Sequence, residues 1–313
     1  MSILIFFTNL FLIFFTNLFF FFTNLFFLML WMRLWKLEDH EFYFNPLLSA
    51  PARMTDKMAE FLRPVLPGLP PRAIMAVTLL FLIIFRGVML CSAGSNWLIV
   101  IGSNYAREFP VGDWIGCILF SLTDFMVFLL RLWGLALLVA LMTPVPRRDR
   151  VTEAFRCFAL PFSLLRRFTM IPVFLLLNVL LALHLQQTGR PFTGVLPNGV
   201  TALSITLNWQ EPIRAAIGLS WLTGLAAADI FLTAYGAVMA VVFTSLLALL
   251  TQNRALHVLS AEALHLLLGG FSRRPLMVWV IDLTPLAYFF MMNMIYLVTT
   301  NLLRELILRI PWN

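Results

Sequence analysis

Five stretches of this chain, at about 73–91, 115–142, 169–185, 229–250 and 275–299, are long, apolar and almost free of charge. A bilayer core about 30 Å thick needs roughly 20 mostly apolar residues per helix. The runs are continuous rather than alternating, and backbone groups in lipid must be satisfied within their own segment, which selects helices over strands. A sixth run, 3–31, is also apolar enough. With 61% hydrophobic and 12% charged residues, a soluble globular domain is excluded. The fold expected is all-α: a polytopic transmembrane helical bundle.

Within that bundle the text is doubled. One half runs from about Asp124 to Leu185 and the other from about Asp229 to Val298. Each has an apolar stretch, a short basic stretch, an Arg-Arg doublet (Arg166-Arg167, then Arg273-Arg274) and a second apolar stretch. Nearly the same interval separates Thr143 from Thr251 as separates the doublets, so the register persists. Self-similarity of this kind in an apolar chain suggests two hairpin repeats.

The net charge of +7 invites a nucleic-acid reading, which its distribution removes. Of the 22 Lys and Arg, fifteen lie in 32–72, 143–168 and 251–275, and five lie in 92–114, 186–228 and 300–313. These groups alternate along a five-helix chain, as the positive-inside rule requires. The first group is expected in the cytoplasm and the C-terminus outside. Basic loops beside anionic headgroups account for the charge without nucleic acid.

The organisation follows. Residues 1–31 form a low-complexity apolar tract in which Phe-Phe-Thr-Asn-Leu-Phe occurs three times, from Phe6, Phe14 and Phe21. It reads as an extra helix, an expanded tract or a non-native start, since Met54 opens a conventional beginning; residues 1–53 are expected to be dispensable. Residues 32–72 read as a cytoplasmic Pro-rich linker, in which Glu38-Asp39-His40-Glu41 is a solvated cluster rather than a metal site. Residues 73–119 hold an extra N-terminal helix and a loop with an apolar dip at Trp97–Ile101. The first repeat is 120–186, the extracytoplasmic connection 187–228, the second repeat 229–300 and the tail 301–313. Within the connection, Thr201–Leu207 reads as a short strand and Glu211–Leu225 as a surface helix.

After Pro146 the apolar residues Val151, Ala154, Phe155, Phe158, Ala159 and Phe162 recur at helical spacing. This marks an in-plane amphipathic helix, whose counterpart carries Leu256, Leu259, Ala263, Leu266 and Leu267. A stripe packed beneath the bundle is the alternative. The doublets Arg166, Arg167, Arg273 and Arg274 are expected to anchor at the lipid headgroups.

Charges inside the apolar stretches have the greatest chemical potential. Each costs about 2.5–3.5 kcal/mol to insert and needs a partner or water. Arg86, Asp124 and Arg131 are such residues, as is Asp282, which is followed by Thr284 and Pro285. Asp124 and Arg131 lie two turns apart on one helix face. The reading is structural: either Asp282 pairs with Arg131 or it caps backbone amides, with Thr284 satisfying groups that Pro285 frees. An ion or proton site is the alternative. Cys91, Cys117 and Cys157 have no metal spacing, no catalytic set appears, and no cofactor is expected.

These residues resemble the YggT family of small membrane proteins. Its doubled unit is matched by Ser245–Leu250, Leu256–Phe271, Arg273-Arg274-Pro275 and Asp282-Leu283-Thr284-Pro285-Leu286. The first half matches through Leu137–Pro144, Val151–Leu165 and Arg166-Arg167, but reads Thr169-Met170-Ile171-Pro172 where the family has an acidic residue. The resemblance implies a non-enzymatic protein of the bacterial inner membrane that organises or assembles membrane components, in division, envelope or cytochrome-complex assembly. Other membrane proteins and a homo-oligomer are its implied partners. Transport of an ion or small solute in osmotic tolerance is the alternative.

Overall fold

The computed structural model describes residues 2–35, 41–94, 97–102, 105–109, 112–143, 149–187, 192–194, 203–205, 207, 210–273, 275–279 and 281–308. The fold is all-α, and among the described residues seven helices are long and apolar enough to cross a membrane. The chain is a multi-pass membrane protein. It forms two compact units, one of residues 1–93 and 112–128, the other of 94–111 and 129–313.

Unit 1 contains α1 (Ser2–Trp35), α2 (Glu41–Phe44), α3 (Pro46–Leu62), α4 (Pro71–Ser92) and the first half of α5 (Trp114–Met142). The linker expected at 32–72 is thus largely helical. Asn45 starts α3 by accepting the Leu47 amide at 3.0 Å, and Pro46 occupies the first helical position, where no donor is needed. Helices in lipid gain little from burying apolar surface against one another, so close backbone approach through small residues matters. Gly87 supplies it: a Cβ there would meet the Ile118 Cα at 2.6 Å.

The Phe-rich tract is part of this unit. Phe27, Leu28, Leu30 and Met32 of α1 are buried, and Phe27 meets the Phe125 ring edge-on at 5.5 Å. Those contacts weigh against the expectation that residues 1–53 can be spared. The cluster expected at Glu38–Glu41 lies outside the residues whose side chains are described.

Unit 2 contains the second half of α5, then α6 (Arg150–Phe158), α7 (Arg167–Gln187), α8 (Pro212–Leu250), α9 (Arg254–Leu268) and α10 (Thr284–Leu308). A 3-10 turn follows α6 at Phe162–Leu164, and another follows α9 at Gly269–Arg273. Leu135 and Val139 of α5, Ala234 and Val238 of α8, Leu267 of α9 and Tyr288 of α10 share its core. Gly134 lets side chains of α7 and α8 close in; a Cβ there would lie 3.0 Å from Phe174 and 3.1 Å from Ile230.

Several elements differ from expectation. The separate span at 229–250 and surface helix at 211–225 are one helix, α8, of 39 residues. At 1.5 Å per residue it is about 58 Å long, about twice the hydrocarbon thickness. No proline interrupts the join, which runs through Leu225-Ala226-Ala227-Ala228, strong helix formers. The dip at Trp97–Ile101 is strand β1, which pairs with β2 (Tyr105–Phe109); β3 (Phe192–Gly194) and β4 (Leu203–Ile205) complete an antiparallel sheet in the order β1-β2-β3-β4. The apolar run at 275–299 also divides. Strands β5 (Met277–Val278) and β6 (Ile281–Asp282) form a hairpin, and α10 begins only at Thr284.

The stripe of α6 points into unit 2. Ala154, Ala159 and Phe162 are buried, and the Phe162 ring stacks on Trp133 at 5.9 Å. Leu266 and Leu267 at the end of the α9 stripe are buried too. Both amphipathic helices lay part of their apolar stripes against the other helices of unit 2.

Candidate functional site

Among the described residues, two clusters join charges that the sequence places deep inside apolar stretches, one cluster in each unit. The first is centred on Arg86 in α4, whose side chain is only 3% exposed. Its guanidinium has five N–H donors in a fixed plane, and protein oxygens surround it. Nε donates to Ser121 Oγ at 2.9 Å, and Nη1 donates to Thr23 Oγ1 at 3.1 Å and Asn24 Oδ1 at 2.7 Å. Nη2 donates to the Ser121 carbonyl and lies 3.2 Å from Asp124 Oδ2. Ser121 Oγ donates in turn to the Ile83 carbonyl at 2.8 Å, so one side chain of α5 both accepts from Arg86 and donates to the backbone of α4.

Asn24 completes the cluster, donating to Asp124 Oδ2 at 2.8 Å while accepting from Arg86. Thr23 and Asn24 belong to the third copy of Phe-Phe-Thr-Asn-Leu-Phe. The Phe27 ring lies under the guanidinium, 4.8 Å from its carbon, a cation–π contact that further offsets desolvation. Arg86 and Asp124 were both expected as ion-pair residues, and the structure pairs them with each other.

The second cluster, within unit 2, ties the β1 end of the sheet to helices α5 and α8. Asp229, buried on α8, accepts the Gly102 amide at 3.1 and 3.3 Å with its two oxygens. Arg131 Nη2 of α5 reaches Asp229 Oδ2 at 3.4 Å and the Val100 carbonyl at 3.2 Å. Gly102 adopts φ +60°, and a Cβ there would meet the Leu225 side chain at 3.0 Å, so any larger residue would be both strained and crowded at this approach. The partner expected for Arg131 was Asp282; it is Asp229. That acidic residue opens the second half as Asp124 opens the first, which was the signal available in the sequence.

Asp282 is exposed in β6, outside α10. Its Oδ1 accepts the Thr284 amide at 2.8 Å, which is the backbone-capping alternative. Thr284, expected to satisfy carbonyls, instead accepts the Leu276 amide at 2.8 Å and closes the hairpin. Pro285 is the second residue of α10 and frees no bond, because the first turn of a helix needs no donor.

Among the expected headgroup anchors, Arg166 is exposed. Arg167 is half-buried and donates to the Leu141 carbonyl, one of the orphan carbonyls at the end of α5. Its role is that of a helix cap. The side chains of Arg273 and Arg274 lie outside the described residues.

A third cluster was not legible in the sequence. Arg33 of α1 pairs with Asp56 of α3, and the Tyr43 hydroxyl donates to the same carboxylate. The hydrogen bond to Asp56, reinforced by burial, pushes the Tyr43 phenol above its usual range. Unit 1 also has an apolar cavity of about 520 Å³ between α1 and α4, lined by Phe15, Phe19, Phe22, Phe85 and Met89, with Arg86 at its wall. Among the described residues no three His, Cys, Asp or Glu side chains converge as metal ligands.

Chemically, both intramembrane clusters neutralise a charge with a counter-charge and backbone or amide groups, and each bolts separate elements together. Comparison of the chain with protein-family models, with characterised proteins and with solved structures yields no significant match.

Proposed function

We propose that this multi-pass membrane protein organises or assembles other membrane components without catalysing a reaction, in the manner of the YggT family. The observation that carries the reading is the fate of the intramembrane charges. Arg86 spends its donors on Thr23, Asn24, Ser121 and Asp124, and Asp229 is held by Arg131 and the Gly102 amide. Groups that relay protons or bind a transported ion need coordination left over for the cargo. Here the side chains are committed to holding helices and a sheet in place, as suits a scaffold.

The order of long helix, shorter amphipathic helix, 3-10 turn and long helix from α5 to α7 recurs from α8 to α10 apart from the β5–β6 hairpin before α10, and supports the doubled unit on which the resemblance rests. The basic residues orient it in a bacterial inner membrane with 143–168 and 251–275 in the cytoplasm, and with the 92–114 loop and the C-terminus outside. Its partners are anionic lipid and other membrane proteins.

Cross-linking in native membranes, followed by mild solubilisation and identification of the bound proteins, tests the reading. A reproducible set of membrane partners is expected, together with ion flux in proteoliposomes no greater than in empty vesicles. Flux that disappears on Asp229→Asn in a folded protein would replace the scaffold with a transporter.

A further inference from the structure

Cys91 and Cys117 are far apart in sequence, with no motif between them, yet the fold brings them together. Cys91 lies in the last turn of α4 and Cys117 in the first turns of α5. The two helices run antiparallel and nearly touch at Gly87, whose absent side chain leaves room for the Ile118 backbone. Arg86 and Ser121 lock them one turn further in. A helical side chain leans toward its own N-terminus, so in this antiparallel pair Cys91, one turn outward of Gly87, leans back toward the level of Cys117, and Cys117 leans outward to meet it. A Cβ on Gly87, one turn before Cys91 on the same helix, would lie 3.0 Å from the Cys117 carbonyl oxygen, so Cys117 sits directly against this end of α4. The Cys117 side chain is fully enclosed, whereas Cys91 keeps 7% of its surface exposed.

We infer that Cys91 and Cys117 are an oxidisable dithiol pair that closes to a disulfide across the outer ends of α4 and α5. The inference rests on the orientation given above, which puts these helix ends on the extracytoplasmic face, where disulfides persist. The oxidant is a disulfide donor, a protein dithiol couple or oxidised glutathione. The Cys91 thiol loses its proton, and its sulfur attacks one donor sulfur, breaking the donor S–S bond and releasing one donor thiol. Cys117, deprotonated in turn, attacks Cys91 sulfur in the mixed disulfide and expels the second donor thiol. Two protein thiols are oxidised to one disulfide, and the donor takes up both electrons and both protons.

The bond fastens the part of unit 1 that Arg86 and Gly87 already hold. Cys157, in the last turn of α6, lies on the cytoplasmic side in this orientation and stays reduced.

The test uses the full chain in the cells that make it. Thiols are trapped by acid, the protein is denatured, and a maleimide-polymer is added before or after reduction. One labelled cysteine, Cys157, is expected before reduction and all three after it, with a linked peptide pair containing Cys91 and Cys117 in the mass spectrum. Cys91→Ser should leave Cys117 and Cys157 both labelled without reduction. Three labelled cysteines in cells, with ready closure by oxidised glutathione in isolated membranes, would keep the pair but overturn the orientation, and with it the disulfide as a native bond. Three labelled cysteines under both conditions would overturn the pair itself.

Discussion

Replacing Asn24 with alanine isolates what the third copy of the Phe-rich repeat contributes. The side chain makes two hydrogen bonds to charged groups, accepting from Arg86 at 2.7 Å and donating to Asp124 at 2.8 Å. Bonds of this kind contribute about 1.5–3 kcal/mol each. Asp124 is about one-quarter exposed, so water recovers part of the second, and alanine's better helix propensity returns about 0.6 kcal/mol. The expected loss is about 2–4 kcal/mol. Asn17 occupies the matching position in the second copy and is exposed, so Asn17→Ala receives the same propensity gain without the loss and should stay within about 0.5 kcal/mol of the parent. Reversible unfolding of the full chain in mixed micelles, followed by circular dichroism, measures both. Equal stability of the two variants would refute the placement of α1 against Arg86 and restore the tract as dispensable.

Other substitutions probe the remaining contacts. Gly102→Ala combines a left-handed φ with a 3.0 Å contact to Leu225 and should cost about 1–3 kcal/mol, read as a lower melting temperature in detergent. Asp282→Ala removes one exposed cap and should cost only about 0.5–1 kcal/mol, far less than Asp229→Ala by the same measurement. The raised pKa of Tyr43 means that its contact with Asp56 is fully present below the ordinary tyrosine range and is lost only as pH rises through the higher folded value. Phenolate absorbance at that residue, taken as the difference from Tyr43→Phe, should appear later in an alkaline titration than that of a model tyrosine; an ordinary midpoint would contradict the contact.

How much was legible in the sequence depended on whether the signal was local. Apolar length sufficed for the spans, because lipid forces each segment to satisfy its own backbone. The five expected runs fall within α4, α5, α7, α8 and, from Thr284 onward, α10. Pairing was harder to read, since a charge carries no mark of its partner. Arg131 needed a counter-charge, but the chain offers it both Asp229 and Asp282, and only the turn of α8 and the β1–β2 hairpin decide between them. The hairpin before α10 was hidden because Met277–Asp282 is apolar enough to extend a span. The Asn24 and Cys117 contacts had no sequence signal, since both depend on how closely helices pack at residues such as Gly87.

The central claim is that the charges inside the helices are fasteners, and a double-mutant cycle on Arg131 and Asp229 tests it most directly. At 3.4 Å an effective dielectric of about 20 sets a ceiling of about 5 kcal/mol. Arg131 is 42% exposed, and solvent screening brings the expected coupling down to about 1–2 kcal/mol. Arg131→Gln and Asp229→Asn should each destabilise the folded protein, and the double variant should be more stable than the two losses summed by that amount. The same cycle with Asp282→Asn in place of Asp229→Asn should be additive. Additivity for Arg131 with Asp229, or coupling with Asp282 instead, would contradict the account.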